Sequence, residues 1–141
     1  MAIYESNIKT ISSSEEVVFD VLSNMNNLSV LQKTESIEGK VKIIELDTDS
    51  CIIELEKFGK IELEITEKTP YSSLKYEFFQ LPISMFAEIK LKNIVENQTQ
   101  MQIILNADIP AMMKFMLDKQ LEKGVNTLAD MFESALNRYN H

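Results

Sequence analysis

The 141-residue chain has one cysteine, one histidine, no tryptophan, three prolines and three glycines. Arg138 is its only arginine. Each scarcity excludes something. With Cys51 alone, no intrachain disulfide can form, which fits a reducing compartment. His141 is the last residue, so no Ser-His or Cys-His pair is available for nucleophilic catalysis. No group of residues has zinc-ligand spacing. Gly39, Gly59 and Gly124 lie too far apart for a phosphate-cradling loop. The net charge is −8 and the lysines are scattered, so there is no basic stripe to neutralise nucleic-acid phosphates, and an anionic membrane surface would repel the chain. No apolar run approaches the ~18 residues of a spanning helix, and Met1-Ala2-Ile3-Tyr4-Glu5 does not read as a signal peptide. The expectation is a cytoplasmic protein without cofactor, metal, nucleic-acid partner or stable membrane insertion.

The residues that are present alternate. Residues 2–11 read as a strand. Ser13 and Glu16 have capping-box spacing, and Val17, Val18, Val21 and Leu22 follow at helical intervals around Phe19. Asn24, Asn26 and Asn27 interrupt that helix, and Leu28 to Gln32 suggest a second short one. From residue 37 the period becomes two. Cys51, Ile53 and Leu55 share a phase, as do Ile61, Leu63 and Ile65; Leu74, Tyr76 and Phe78; Ala87, Ile89 and Leu91; and Met101, Ile103 and Leu105. Such alternation marks strands with one dry face and one wet face. The adjacent Ile43 and Ile44 break phase, as a bulge would require. The connectors around Asp47-Thr48-Asp49, Phe58-Gly59, Thr69-Pro70-Tyr71 and Asn97-Gln98 are too short for parallel crossovers, so consecutive strands are antiparallel.

Pro110, with Asp108 nearby as a cap, opens a helix over 110–139. On it Met113, Leu117, Leu121, Gly124, Val125, Leu128, Met131, Phe132, Ala135 and Tyr139 form one stripe. Lys119, Glu122, Asn126, Asp130, Glu133 and Asn137 lie opposite. The stripe needs the dry face of the sheet. The reading is one α+β domain over 1–141, with about seven antiparallel strands wrapping a long C-terminal helix.

Three features carry a resemblance: an opening strand running into Ser13-x-x-Glu16-x-Val18-Phe19, the stretch Leu22-Ser23-x-Met25-x-Asn27-Leu28, and the long terminal helix. In this order of elements the chain resembles the START-like, or SRPBCC, superfamily, which includes the birch-pollen allergens. The resemblance implies a helix-grip fold, a curved antiparallel sheet closed around the C-terminal helix. It also implies a cavity for an apolar molecule whose mouth lies near the start of that helix.

That mouth would be built from three segments that are apolar where a surface is ordinarily polar. They are Leu81 to Phe86 with Met85, Phe58-Gly59, and Ala111 to Leu117 with Met112, Phe115 and Met116. The wall would come from Phe19, Leu63, Tyr76, Phe78, Ile89, Leu91, Met101, Ile103, Met113, Leu117, Leu121 and Gly124, with Tyr76 supplying a hydrogen bond. The same residues fit a closed core equally well. Gly124 within the stripe would leave room for ligand or let helix and sheet approach closely. Three functions compete: a carrier or sensor of a lipid-like or polyketide-like molecule, a polyketide cyclase or dehydratase, and a module that contacts a protein partner or a second copy through 81–86 and 111–117. The enzyme reading is disfavoured by apolar inward phases without His or Arg, and Glu5 and Lys9 are the first groups to check for it.

Overall fold

The computed structural model describes residues 1–27, 41–55 and 59–139. The proposed second helix at Leu28 to Gln32, and Gly39, Phe58 and His141, lie outside these residues.

The opening stretch forms two strands, not one: β1 (Ala2–Glu5) and β2 (Lys9–Ile11), both antiparallel to β8 (Gln98–Asp108). Buried Ser6 holds the break between them. Its N–H donates to the Ile103 carbonyl at 2.9 Å, and its hydroxyl accepts from the Ile103 N–H at 2.9 Å. Gln102 Nε2 donates to the Ser6 carbonyl at 3.0 Å. These bonds satisfy backbone groups that a broken strand would otherwise bury unpaired.

Helix α1 (Glu15–Leu22) buries Val18, Phe19 and Leu22. Its cap is Ser14, whose hydroxyl accepts from the Val17 N–H at 3.2 Å. The Ser13–Glu16 box does not form, because Ser13 is drawn inward and its carbonyl accepts from the Thr99 hydroxyl at 2.8 Å. The Asn-rich stretch ends the helix as expected. Asn26 N–H and Asn27 Nδ2 donate to Asn24 Oδ1 and the Val21 carbonyl at 3.0 and 2.9 Å.

The other strands are β3 (Val41–Leu46), β4 (Ser50–Leu55), β5 (Gly59–Thr69), β6 (Ser73–Phe79) and β7 (Ser84–Val95). With them the sheet has, among the described residues, eight strands in the order β1-β8-β7-β6-β5-β4-β3, with β2 also resting on β8. The expected phases hold. Cys51, Ile61, Ile65, Leu74, Tyr76, Ala87, Ile89, Leu91, Met101, Ile103 and Leu105 are buried. The register slips between Ile43 and Glu45, so Ile44 is the bulged residue. At the β7–β8 turn Asn97 takes a φ of 58°, a left-handed conformation that asparagine tolerates.

Asp108 does not cap the last helix. It ends β8, paired with Ser84, and the Pro110 carbonyl accepts the first helical bonds from the Met113 and Lys114 N–H groups at 2.8 and 3.1 Å. Helix α2 (Ala111–Tyr139) buries Val125, Ala129, Phe132, Ala135 and Leu136. It lies along β1, β2 and β8. Four polar tethers fix its line: the Tyr4 hydroxyl donates to Asp118, the Asn7 N–H to Asn126 Oδ1 at 2.8 Å, Lys9 pairs with Asp130, and the Ser12 N–H donates to Asn137 Oδ1 at 2.8 Å. Asp118 to Asn137 rises about 28 Å at about 1.5 Å per residue. Tyr4 to Ser12 extends about 26 Å at about 3.3 Å per residue. Helix and strands therefore keep pace. No helix among the described residues is long and apolar enough to cross a membrane.

Candidate functional site

The inward face of the sheet is not equally covered along its length. The cross-strand row Tyr4–Leu105–Ala87–Tyr76–Ile65 is buried throughout. The next row in the same phase is Ala2–Ala107–Met85–Phe78–Leu63–Cys51. There Met85, Phe78 and Leu63 are only half-buried, although Ala87, Tyr76, Ile61 and Ile65, which follow or precede them in phase, are buried. Solvent thus reaches an apolar strip of three adjacent strands at one end of the sheet.

That end is also where α2 begins, because β8 passes from Ala107 through Ile109 and Pro110 into the helix. The half-buried Leu81 and Ile83 lie in the β6–β7 connection at the same end. The start of β7 and the start of α2 thus lie at the same end of the sheet, since Ser84 pairs with Asp108 just before the helix; Phe58 is outside the described residues. Met85 and Phe86 belong to β7, so the loop itself is shorter than the sequence suggested.

The wall residues fall into groups. Phe19, Tyr76, Ile89, Leu91, Met101 and Ile103 are buried in the core and would make the floor of a cavity there, and the Phe19 ring meets Tyr71 edge-on at 5.5 Å. Leu63, Phe78 and Met85 form the half-open strip, and Leu117 and Leu121 are half-buried on the helix. Met113 is 37% exposed, whereas Met112, Met116 and Phe115 are 91%, 72% and 93% exposed. At 100° per residue, Met112 and Met116 project from the side of α2 opposite Val125, Phe132 and Leu136, so they do not line the sheet-facing side. Gly124 is likewise exposed, and a Cβ there would meet nothing within 4 Å. Close helix–sheet approach therefore does not explain it.

Tyr76 does not offer its hydroxyl to a ligand. The group donates to the Leu22 carbonyl at the end of α1, one of the carbonyls a helix leaves without a partner. Burial pushes its pKa far up. Burial likewise raises the Cys51 thiol to about 11, an inert state. Glu5 is exposed on β1. Lys9 is held by Asp130, with Glu133 at 3.9 Å, and its pKa is raised by the Asp130 hydrogen bond, the opposite of what a catalytic base needs.

The polar group that sequence patterning missed is Tyr4 with Asp118. Tyr4 is 9% exposed, on β1, one row deeper than the half-open strip and two strands beyond Met85. Its pKa is raised to about 12, first by burial, then by the Asp118 hydrogen bond and the charges of Asp118 and Glu122. The signal was present in the alternation of Ala2 and Tyr4 against Ile3 and Glu5, but Asp118 falls between the two faces assigned to the helix.

Two depressions of about 540 and 460 Å³ lie elsewhere. One is a polar groove around Asn7, Asn126 and Asp130, and the other is at the β3–β4 turn beside Glu45, Asp47 and Glu62. Among the described residues no three His, Cys, Asp or Glu side chains are grouped to hold a metal.

No protein-family model matches the chain, and no curated protein matches it. Solved structures do. Norcoclaurine synthase from Thalictrum flavum, in complex with dopamine and hydroxybenzaldehyde, is similar over 98% of this chain and 85% of its own, with 9% identity and a TM-score of 0.77. A START superfamily protein from Mycobacterium smegmatis covers 97% and 98%, with 12% identity and a TM-score of 0.66. The Aha1 dimer from Colwellia psychrerythraea covers 97% and 97%, with 17% identity and a TM-score of 0.63. At such identities the likeness is one of fold.

Proposed function

We propose, from a START-like helix-grip fold, that this chain binds a hydrophobic small molecule, lipid-like or polyketide-like, between the inner face of the sheet and α2, as a cytoplasmic carrier or sensor. The observation that carries this reading is the half-open strip of Leu63, Phe78 and Met85 at the end of the sheet where α2 begins, with Leu117 and Leu121 half-buried on that helix. Each leaves apolar surface in water that a ligand would cover, at about 25 cal/mol per Å². The norcoclaurine synthase complex supports small-molecule binding as a use of the fold. Native mass spectrometry of protein purified gently from its own host tests the proposal. A reproducible mass excess that vanishes on denaturation is expected, and a bare 16.2 kDa ion in every preparation counts against it.

A second reading has its own observation. Met112 and Met116 stand in solvent on the outer side of α2 and Phe115 on its flank, where they serve neither core nor mouth. A protein partner or a second copy of the chain would cover them. Light scattering coupled to size exclusion separates these: a stable dimer supports self-association, and a monomer whose mass is unchanged by Phe115→Asp rules it out.

A further inference from the structure

We infer that Tyr4 and Asp118 form the polar anchor of the ligand site and that the molecule they select is an amphiphile with a protonated amine head. This rests on the hydrophobic-ligand reading above and names its ligand class.

Asp118 lies on the sheet-facing side of α2, between the half-buried Leu117 and Leu121. Tyr4 points inward from β1 and donates to its carboxylate. Among the described residues that hydroxyl is the one hydrogen-bond partner Asp118 has, and no lysine or arginine lies within ion-pair distance of it. A half-buried carboxylate without a counter-charge is costly, and a neutral phenol offsets the cost only in part. Three of its roughly four lone-pair sites remain for another donor. Glu122 adds negative potential at the same place, as its effect on Tyr4 shows. Lys114, one turn earlier, is exposed and forms no ion pair with Asp118. From Met85 the row continues through Ala107 on β8 to Ala2 on β1, and Tyr4 follows in phase on β1, so an alkyl chain lying on Leu63, Phe78 and Met85 would point its head group across β8 toward the Tyr4–Asp118 pair. An ammonium there supplies the missing charge and up to three donors, whereas a carboxylate head would be repelled.

Calorimetric titration with octylammonium, octanol and octanoate at pH 7 tests this. A charge-assisted hydrogen bond is worth about 1.5–3 kcal/mol, so octylammonium should bind at least about tenfold more tightly than octanoate, with octanol between. Asp118→Asn keeps an acceptor for Tyr4 and should bring the three within about threefold of one another; a thermal melt verifies its fold. Added salt should weaken octylammonium binding to the unsubstituted protein and leave octanol unchanged, which tests the charge without any variant. Octanoate binding as well as octylammonium, or an amine preference that survives in Asp118→Asn, overturns the anchor while leaving the hydrophobic site intact. Binding of none of the three overturns the site itself.

Discussion

The Tyr76 hydroxyl donates to the main-chain carbonyl of Leu22, joining the middle of the sheet to the last turn of α1. The bond is buried, so Tyr76→Phe leaves a carbonyl without a partner and should destabilise the fold by about 1–3 kcal/mol. Urea denaturation should show a lower midpoint with an unchanged slope. Affinity for any ligand that binds at the mouth should be unaltered, since the hydroxyl is already engaged.

Floor and mouth should respond differently to substitution. Met101 is wholly buried, and Met101→Ala should cost about 2–5 kcal/mol. Leu63 is half-buried in the open strip, so Leu63→Trp has space to project and should change stability by less than about 1.5 kcal/mol. The same substitution should remove ligand binding by occupying the strip. Parallel denaturation and titration of the two variants check this.

Alkaline pH should reveal Tyr4. Its pKa is about 12 in the folded chain and 10.0 in the reference state. The folded form thus retains the phenolic proton more tightly. The stabilisation is fully present below about pH 10 and is lost as pH rises towards 12. Melting temperatures measured from pH 9 to 12 should fall, and Tyr4→Phe should make that fall shallower. The difference between the two proteins is the quantity to read.

Cys51 should be slow to react. With its pKa raised to about 11 by burial, little thiolate exists at pH 8. Ellman's reagent should label the native protein slowly and the urea-unfolded protein fast. Fast labelling of native protein would show that β4 opens.

The strand phases and the long helix were legible because each depends on local periodicity. Cys51, Ile61, Tyr76 and Met101 face inward simply by alternation. Ile44 betrayed its bulge by standing next to Ile43. Contacts between distant residues left no such trace. The break at Ser6 depends on Ile103 and Gln102, and the shift of the cap from Ser13 to Ser14 depends on Thr99. Asn126 and Asn137, assigned to the wet side of the helix, are half-buried because each accepts from a main-chain N–H of the opening segment. Gly124 and Met113 sit on a stripe that the sheet covers only farther along, so amphipathicity alone placed them too deep.

The four tethers between the opening strands and α2 have a temporal consequence. Each joins positions more than 110 residues apart, such as Tyr4 with Asp118, and β1 and β2 have β8 as their strand partner. A chain emerging from the ribosome at about 5–20 residues per second would leave its first strands unpaired until almost all of it had been made. Closure must then repay the entropy of a very long loop, which places this fold among slow folders. In those seconds Tyr4 and Ile11, buried in the folded chain, are exposed to whatever else is nearby.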